Sequence, residues 1–303
     1  MTRVSEDRTA GVTEPATRHP SASMAVGALF VSASAVLIHL SGASPGTASF
    51  YRCLLALPLL IPLALGERRR EGGIPGRRRL VTVVAGALFA GDMLLWTAAI
   101  AEVGAGLSTV LVNVQVVIVP LLALLVDREA LSRRFLASVP FLLVGVVLAG
   151  GVFEKGGGGS DPLLGTVHAI LAALCYSAFL FLLRREGQDG RPVQSYLWVT
   201  ASAAVVSLVV GAFWQGVDPA PGWAAVGWLA LVALFGQVLG WLLVALATPR
   251  LASHVGAVLL LLTPVGAVVL GALVLGERPS ALQLAGCVLI LASGAVATIR
   301  SRR

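Results

Sequence analysis

Hydrophobic positions in this chain form long uninterrupted runs, rather than the one-sided stripe of a soluble helix or the alternation of a strand. Each run is close to the roughly 20 residues that cross about 30 Å of hydrocarbon as an α-helix. The approximate limits are 24–41, 46–66, 80–101, 105–126, 134–153, 163–183, 194–214, 223–247, 253–275 and 281–299. The pattern predicts an all-α integral membrane protein with ten transmembrane helices.

Composition agrees with a protein that lies mostly in lipid. Hydrophobic residues make up 57% and charged residues 12% of the chain, and the mean hydropathy is +0.90. A soluble domain carries about 25% charged residues. The longest polar stretch is the Thr-, Pro-, Glu- and Arg-rich segment 1–21, which we expect to be a disordered tail.

Basic residues indicate how the helices are oriented. With the N-terminus inside and ten crossings, all but three of the 22 Lys and Arg residues fall on the inner side, the exceptions being Arg52, Lys155 and Arg278. Because cytoplasmic loops are enriched in basic residues, both termini should be cytoplasmic in a multi-pass cell-membrane protein. The net charge of +7 then reflects topology and contact with anionic lipid rather than nucleic-acid binding.

The chain also contains an internal repeat. Ala87-Leu88-Phe89 recurs as Ala233-Leu234-Phe235, and the stretch 111–129 aligns with 260–278, with a small insertion near Pro249 and Arg250. The alignment divides the chain into two five-helix repeats, 24–153 and 163–299, joined by a Gly-rich linker at 154–162.

An odd number of helices in each repeat has a geometric consequence. The second copy must enter the membrane from the opposite side, which predicts two inverted repeats related by an axis in the membrane plane. Such repeats are typical of alternating-access carriers, whose substrate site lies near the middle of the membrane between the halves.

Arg52 and Asp92 are the clearest charges of opposite sign inside hydrophobic runs. A charge at mid-helix depth costs about 2.5–3.5 kcal/mol on insertion scales, so each side chain should face a partner or a polar cavity. One interpretation is a structural ion pair that joins the second helix to the third. The other is that Arg52 attracts an anionic or carboxylate-bearing solute, while Asp92 exchanges a proton during transport.

Further polar and aromatic residues in the runs extend the candidate substrate or coupling site. Trp96 lies one turn beyond Asp92 and could form a wall of the site or an interface anchor. The other candidates are Asn113, Gln115, Tyr176 and Gln237. Asn113 and Gln115 are two residues apart and cannot share a helix face, so at most one faces the cavity.

Two prolines inside the runs, Pro120 and Pro264, are candidate helix kinks, because each removes a backbone hydrogen bond. A structural bend without solute contact is an equally good interpretation. Elsewhere the sequence has no Walker A, HExxH or Asp-rich motif and no Ser/His/Asp set. We therefore expect no cofactor, no metal site and no catalytic residues.

The arrangement resembles the drug/metabolite transporter superfamily, specifically its EamA-like members. The matching motifs are Phe50-Tyr51-Arg52, Phe89-Ala90-Gly91-Asp92 and Leu275-Gly276-Glu277-Arg278-Pro279, and the resemblance covers nearly all of 24–299. It implies a ten-helix carrier of small metabolites, amino acids or drugs. Helices one to four and six to nine would line the cavity, and helices five and ten would be peripheral. The chain departs from the family pattern at Gln115, where a proline is common.

The leading hypothesis is therefore a secondary transporter that moves a small solute by alternating access, with possible coupling to protons. Its expected partners are the solute, membrane lipid and, in a homodimer, a second copy of the chain. The alternative is a membrane-embedded enzyme acting on lipid or isoprenoid substrates, which would need clustered catalytic groups that the sequence does not show. A scaffold or sensor is a third option, although the short loops offer little docking surface.

Overall fold

Helices form all the regular secondary structure in the described part of the chain. The computed structural model describes residues 19–103, 108, 111–150, 161–187, 190–276 and 278–298. The helices of the first repeat are α1 (Pro20–Ser41), α2 (Pro45–Glu71), α3 (Gly76–Val103), α4 (Gln115–Asp127) and α5 (Arg133–Ala149). Those of the second are α6 (Pro162–Gly187), α7 (Pro192–Trp214), α8 (Trp223–Leu231, Val232–Gly240 and Trp241–Ala247), α9 (Ser253–Leu259 and Leu262–Val274) and α10 (Ala281–Thr298).

The lengths of these helices confirm the all-α membrane class. Seven of them, α1, α2, α3, α6, α7, α8 and α9, are long and apolar enough to cross a membrane. The shorter helices are α4, α5 and α10, with 13, 17 and 18 residues. The ten crossings therefore stay a prediction. The tail and the linker fall almost wholly outside the described residues, except that α1 begins at Pro20, inside the segment expected to be disordered.

Local sequence signals explain where the helices begin and end. Proline stands at the first turn of α1, α2 and α7, where its missing N–H costs no hydrogen bond. The Ser44 and Ser132 side chains cap α2 and α5 by accepting hydrogen bonds from backbone N–H groups. Arg68, Arg69 and Arg70 occupy the last turn of α2, where their charge is favourable beside the negative end of the helix dipole.

The most extensive packing joins the two repeats rather than helices within one repeat. The main partners are α3 with α6, α2 with α7, α5 with α10 and α1 with α8. The α2–α7 pair is antiparallel, because Glu67 contacts Val193 at one end while Ser44 contacts Gly216 at the other. Since α2 and α7 are equivalent in the internal alignment, this packing places the two halves in opposite orientations.

The same helix directions bring most of the arginines to one end of the bundle. We call this the arginine-rich end; it is formed by the C-termini of α2, α4, α6 and α8 and the N-termini of α1, α3, α5, α7 and α9. Its arginines in the described residues are Arg68, Arg69, Arg70, Arg77, Arg78, Arg79, Arg128, Arg133, Arg134, Arg184, Arg185, Arg191 and Arg250. Arg278 lies at the opposite end.

Glycines permit the closest contacts between the halves, as expected for helices that associate in lipid. A Cβ atom on Gly27 would lie 2.8 Å from the carbonyl oxygen of Gly240, and one on Gly145 would lie 3.1 Å from that of Gly286. Gly240 is itself closely packed, because a Cβ atom added there would lie 2.8 Å from Val31 Cγ2.

We predict that Gly286→Ala destabilises the protein by about 1–3 kcal/mol, because the new methyl group would meet backbone atoms of α5 that cannot move aside. The measurement is thermal unfolding in detergent. Gly66→Ala is the matched control, since a Cβ at Gly66 has no heavy atom within 4 Å. Equal melting temperatures for the two variants would contradict the prediction.

A second prediction concerns the start of α7, whose first N–H groups are capped from another helix. The Glu67 carboxylate accepts hydrogen bonds from the backbone N–H groups of Val193 and Gln194 at 3.1 and 2.8 Å. Glu67→Ala should lower the free energy of unfolding by about 1 kcal/mol, the usual cost of losing a cap. Glu71→Ala removes an exposed carboxylate one turn later and should have little effect. A similar loss in both variants would show that the cap contributes nothing.

Candidate functional site

Arg52 lies inside the bundle, at the boundary between the repeats. Its side chain is 8% exposed, and its Nε donates a hydrogen bond to Oε1 of Gln237 on α8 at 3.1 Å. The guanidinium carbon is 5.9 Å from the ring centroid of Phe89 on α3. Gln237 and Phe89 therefore surround the guanidinium with protein. Its single hydrogen bond among the described residues leaves other N–H donors available.

The segment that carries Gln237 is a π-helix, Val232–Gly240, within α8. At its end the Trp241 N–H bonds to the carbonyl of Gly236, five residues back, instead of Gln237, four residues back. The Gln237 carbonyl accepts a hydrogen bond from the Tyr196 hydroxyl of α7 at 2.8 Å. The tyrosine thus replaces the N–H that a regular α-helix would supply, which explains a π-helix without proline.

Asp92 lies on α3 near Arg52, but the two side chains do not form a contact ion pair. No ion pair within 4.0 Å joins them in the described part of the chain. Asp92 is 8% exposed, and its Oδ1 is buried without a hydrogen-bond partner among the described residues. A buried carboxyl oxygen that lacks a donor can accept a hydrogen bond from a solute or bind a proton.

Tyr176 and three other aromatic side chains form a packed group beside these charges. Phe89 lies 4.5 Å from Phe179 and 5.1 Å from Trp241, and Tyr176 lies 6.1 Å from Trp241, measured between ring centroids. Tyr176 is within electrostatic range of both Asp92 and Arg52. The Trp241 Nε1 is buried without a hydrogen-bond partner in the described residues. The group forms an apolar wall that retains one unused donor.

Not all predicted candidates join this group. Gln115 is 1% exposed and donates from Nε2 to the carbonyl of Ala257 on α9 at 3.3 Å, so it faces a neighbouring helix. Asn113 is half-buried, just before the helix break at Val114. Trp96 is half-buried one turn beyond Asp92, and its Nε1 is buried without a partner among the described side chains.

The two candidate kink prolines differ in their surroundings. α4 continues as one helix through Pro120, and its interruption falls at Val114 instead. In α9 the interruption lies at residues 260–261, one turn before Pro264. Pro264 has no N–H for the carbonyl of Leu260, which accepts from the Thr263 N–H at 3.0 Å. Only the α9 break is thus explained by its proline.

The sequence analysis missed three contributors to the site. Tyr196 was not among the candidates, although a tyrosine hydroxyl in an apolar helix needs a hydrogen-bond acceptor and could have been selected on that ground. Trp241 and Ser34 were not considered. The Ser34 Oγ is buried without a partner in the described residues, and the side chain lies directly against Gly236 of the π-helix.

The site therefore brings together Arg52, Asp92, Tyr176 and Gln237 from four helices of both repeats. Arg52, Asp92 and Gln237 are all less than 9% exposed, so the site is closed to solvent in this conformation. Several groups of the site remain available for hydrogen bonding: N–H groups of Arg52, Gln237 and Trp241 can donate, and Asp92 Oδ1 can accept. Such an arrangement can bind a small solute that has both polar and apolar parts.

Comparison with known proteins identifies the class of protein that this fold and site define. The family model described as "EamA-like transporter family" matches residues 21–151 and 163–299. The chain belongs to the EamA-like transporter family, which confirms the resemblance inferred from its motifs. It is a multi-pass membrane protein built from two family repeats.

Structural comparison supports the fold. A solved structure described as "Crystal structure of protein" matches with a TM-score of 0.78 at 16% sequence identity, covering 95% of this chain and 99% of that one. At this identity the match establishes the fold alone. No curated protein has significant sequence similarity to the chain.

We predict that Tyr196→Phe destabilises the protein by about 0.5–1.5 kcal/mol, because the Gln237 carbonyl loses its donor. The measurement is chemical or thermal unfolding in detergent. Tyr51→Phe is a matched control, since it removes a hydroxyl that also donates to a backbone carbonyl at 2.8 Å, that of Pro219, but at the protein surface. If both variants lose the same stability, the buried bond has no special role.

Proposed function

We propose that this protein is a secondary carrier that moves a small metabolite, amino acid or drug-like solute across the cell membrane by alternating access. The observation that carries the proposal is the buried Arg52–Gln237 bond between α2 of one repeat and α8 of the other. A site shared by two oppositely oriented halves can be exposed to either side by moving one half against the other. The proposal includes ten crossings, with the arginine-rich end in the cytoplasm.

The chemistry of the site supports assigning separate roles to its two charges. Arg52 offers a planar fork of donors suited to a carboxylate or another anionic group, and Gln237 holds the fork in position. Asp92 is available to carry the coupled proton, because its buried Oδ1 has no donor among the described residues. The aromatic group of Phe89, Tyr176, Phe179 and Trp241 would contact the apolar part of the solute.

Membership of a transporter family and the position of the site between the repeats both favour a carrier over the enzyme alternative. The described residues contain no group of three or more His, Cys, Asp or Glu side chains that could hold a metal ion. No contact described in the site favours the enzyme alternative. The homodimer stays a prediction.

The solute can be identified by untargeted metabolite profiling of cells with and without the protein, followed by flux measurement in proteoliposomes. We predict that Arg52→Gln lowers the flux of the identified solute at least about tenfold, through the loss of a charged hydrogen bond worth ~1.4 kcal/mol or more. Arg79→Gln is the control, because Arg79 also stacks on an aromatic ring, that of Trp198 at 4.9 Å, but lies in the first turn of α3. Normal flux in a correctly folded Arg52→Gln protein would remove Arg52 from the mechanism.

Proton coupling is tested by a different variant in the same vesicles. Asp92→Asn should abolish the response of net flux to an imposed pH gradient, while exchange of labelled for unlabelled solute continues. This separation is expected because exchange needs only solute binding and conformational change, whereas uphill transport also needs a bound proton. A pH response that survives in Asp92→Asn would show that the proton binds elsewhere.

A further inference from the structure

A half-buried charge cluster lies at the arginine-rich end, away from Arg52. Glu129, in the loop between α4 and α5, accepts hydrogen bonds through Oε1 from the Ser253 N–H at 2.7 Å and the Ser253 Oγ at 3.0 Å. Its Oε2 forms an ion pair with Arg184 Nη2 of α6 at 2.7 Å. Arg184 also donates from Nε to the carbonyl of Leu251 at 3.1 Å. We call these four residues the Glu129 cluster.

The cluster connects the two repeats. Glu129 belongs to the first repeat, whereas Arg184, Leu251 and Ser253 belong to the second. α9 begins without a cap of its own, because the residue before Ser253 is Ala252, whose side chain cannot accept a hydrogen bond. The Glu129 carboxylate supplies that cap from the other repeat, in the favourable position for an anion at a helix N-terminus.

The cluster also borders a small cavity between the repeats. Arg184 and Ser253 line a small cavity between α1, α4, α6 and α9, together with Val119, Leu180 and Gly256. The side chains of Glu129 and Arg184 are 19% and 13% exposed, so their ion pair is half-buried beside this cavity. Because the ion pair joins the two repeats, it must break before the repeats can move apart at that end.

The opposite end has a different inter-repeat pair in the described residues, formed by Glu102 of α3 and His168 of α6, whose side chains are 17% and 16% exposed. The internal alignment pairs Glu129 with Arg278, which is exposed and has no ion pair within 4.0 Å among the described side chains. The internal repeat therefore relates the helices at the two ends, whereas the charged residues at the two ends differ. Closure by this ion pair is a property of the arginine-rich end.

We propose that the Glu129 cluster is a gate at the arginine-rich end, and that its ion pair must break before the site opens to that side. The inference rests on the proposed carrier function, and it makes Glu129 and Arg184 positioning residues that do not touch the solute. Breaking the pair should increase the population of molecules open at this end.

The test uses the reactivity of a cysteine introduced into the cavity. Gly256→Cys suits this purpose, because a Cβ at Gly256 meets only Met24 Cε, at 3.5 Å. In this background Glu129→Gln removes the ion pair while keeping an acceptor for Ser253. We expect the rate of modification by a water-soluble maleimide in detergent, assigned by mass spectrometry, to rise roughly fivefold or more, through a shift toward the open state.

The control is Asp127→Asn, which makes the same change of charge in the same region. It breaks the more exposed Arg185–Asp127 pair, whose atoms lie 3.6 Å apart. This variant should leave the rate within about twofold of the parent, as expected for a surface pair. Equal rates in Glu129→Gln and Asp127→Asn would overturn the proposal.

Cys287, which is buried on α10, reports the integrity of the fold in every sample. If Glu129→Gln makes Cys287 reactive, the variant has unfolded. The proposal is then tested with Arg184→Gln, because that variant retains the Glu129–Ser253 hydrogen bonds. A faster reaction at position 256 with an unreactive Cys287 supports the gate, and an unchanged rate contradicts it. Failure of the wild-type protein to transport any solute would defeat the proposed function but would not alter these rates.

Discussion

A guanidinium group that lies within a lipid-embedded bundle needs hydrogen-bond acceptors, and this requirement organises the centre of the protein. The acceptor for Arg52 is Gln237, which belongs to the other repeat. Lipid tails are as apolar as the helices, so the hydrophobic effect does not hold the halves together. Close contacts at glycines and a few buried polar bonds do so instead, and the Arg52–Gln237 bond is the one that also forms the site. Its partner Tyr196 joins α7 to the same point.

The helices could be predicted closely because each is defined by a continuous stretch of the sequence. Runs of apolar residues define the helices, and the start and end residues of α2, α6 and α8 lie within a few positions of those expected. Arg52 and Gln237 could also be selected individually, because polar residues in apolar runs stand out. Their contact could not be predicted, since it depends on how two antiparallel halves cross. The break in α4 at Val114 was missed because proline was the only signal considered, and α4 continues through Pro120.

The π-helix was the main feature beyond the reach of sequence reasoning. No proline marks Val232–Gly240, and proline was the signal used to select candidate kinks. Its cause lies in another helix, in the hydroxyl of Tyr196, so no window along α8 contains the information. The Asp92 carboxyl gives a similar lesson. The sequence was compatible with an Arg52–Asp92 ion pair and with separate roles for the two residues. The absence of a contact ion pair in the described residues favours separate roles.

The π-helical turn in α8 also allows the parts of the helix before and after it to point their side chains independently. A π-helical turn accommodates an extra residue, whereas each residue added to or removed from a regular α-helix rotates everything beyond it by about 100°. The N-terminal part of α8 can therefore keep its contacts with α1 while Trp241 keeps a separate orientation toward Phe89 and Phe179. If this segment became a straight α-helix at unchanged length, the residues beyond it would rotate and turn the tryptophan away from the aromatic group. Within an otherwise duplicated architecture, a single surplus residue is thus enough to give one half a side-chain arrangement that its counterpart does not share.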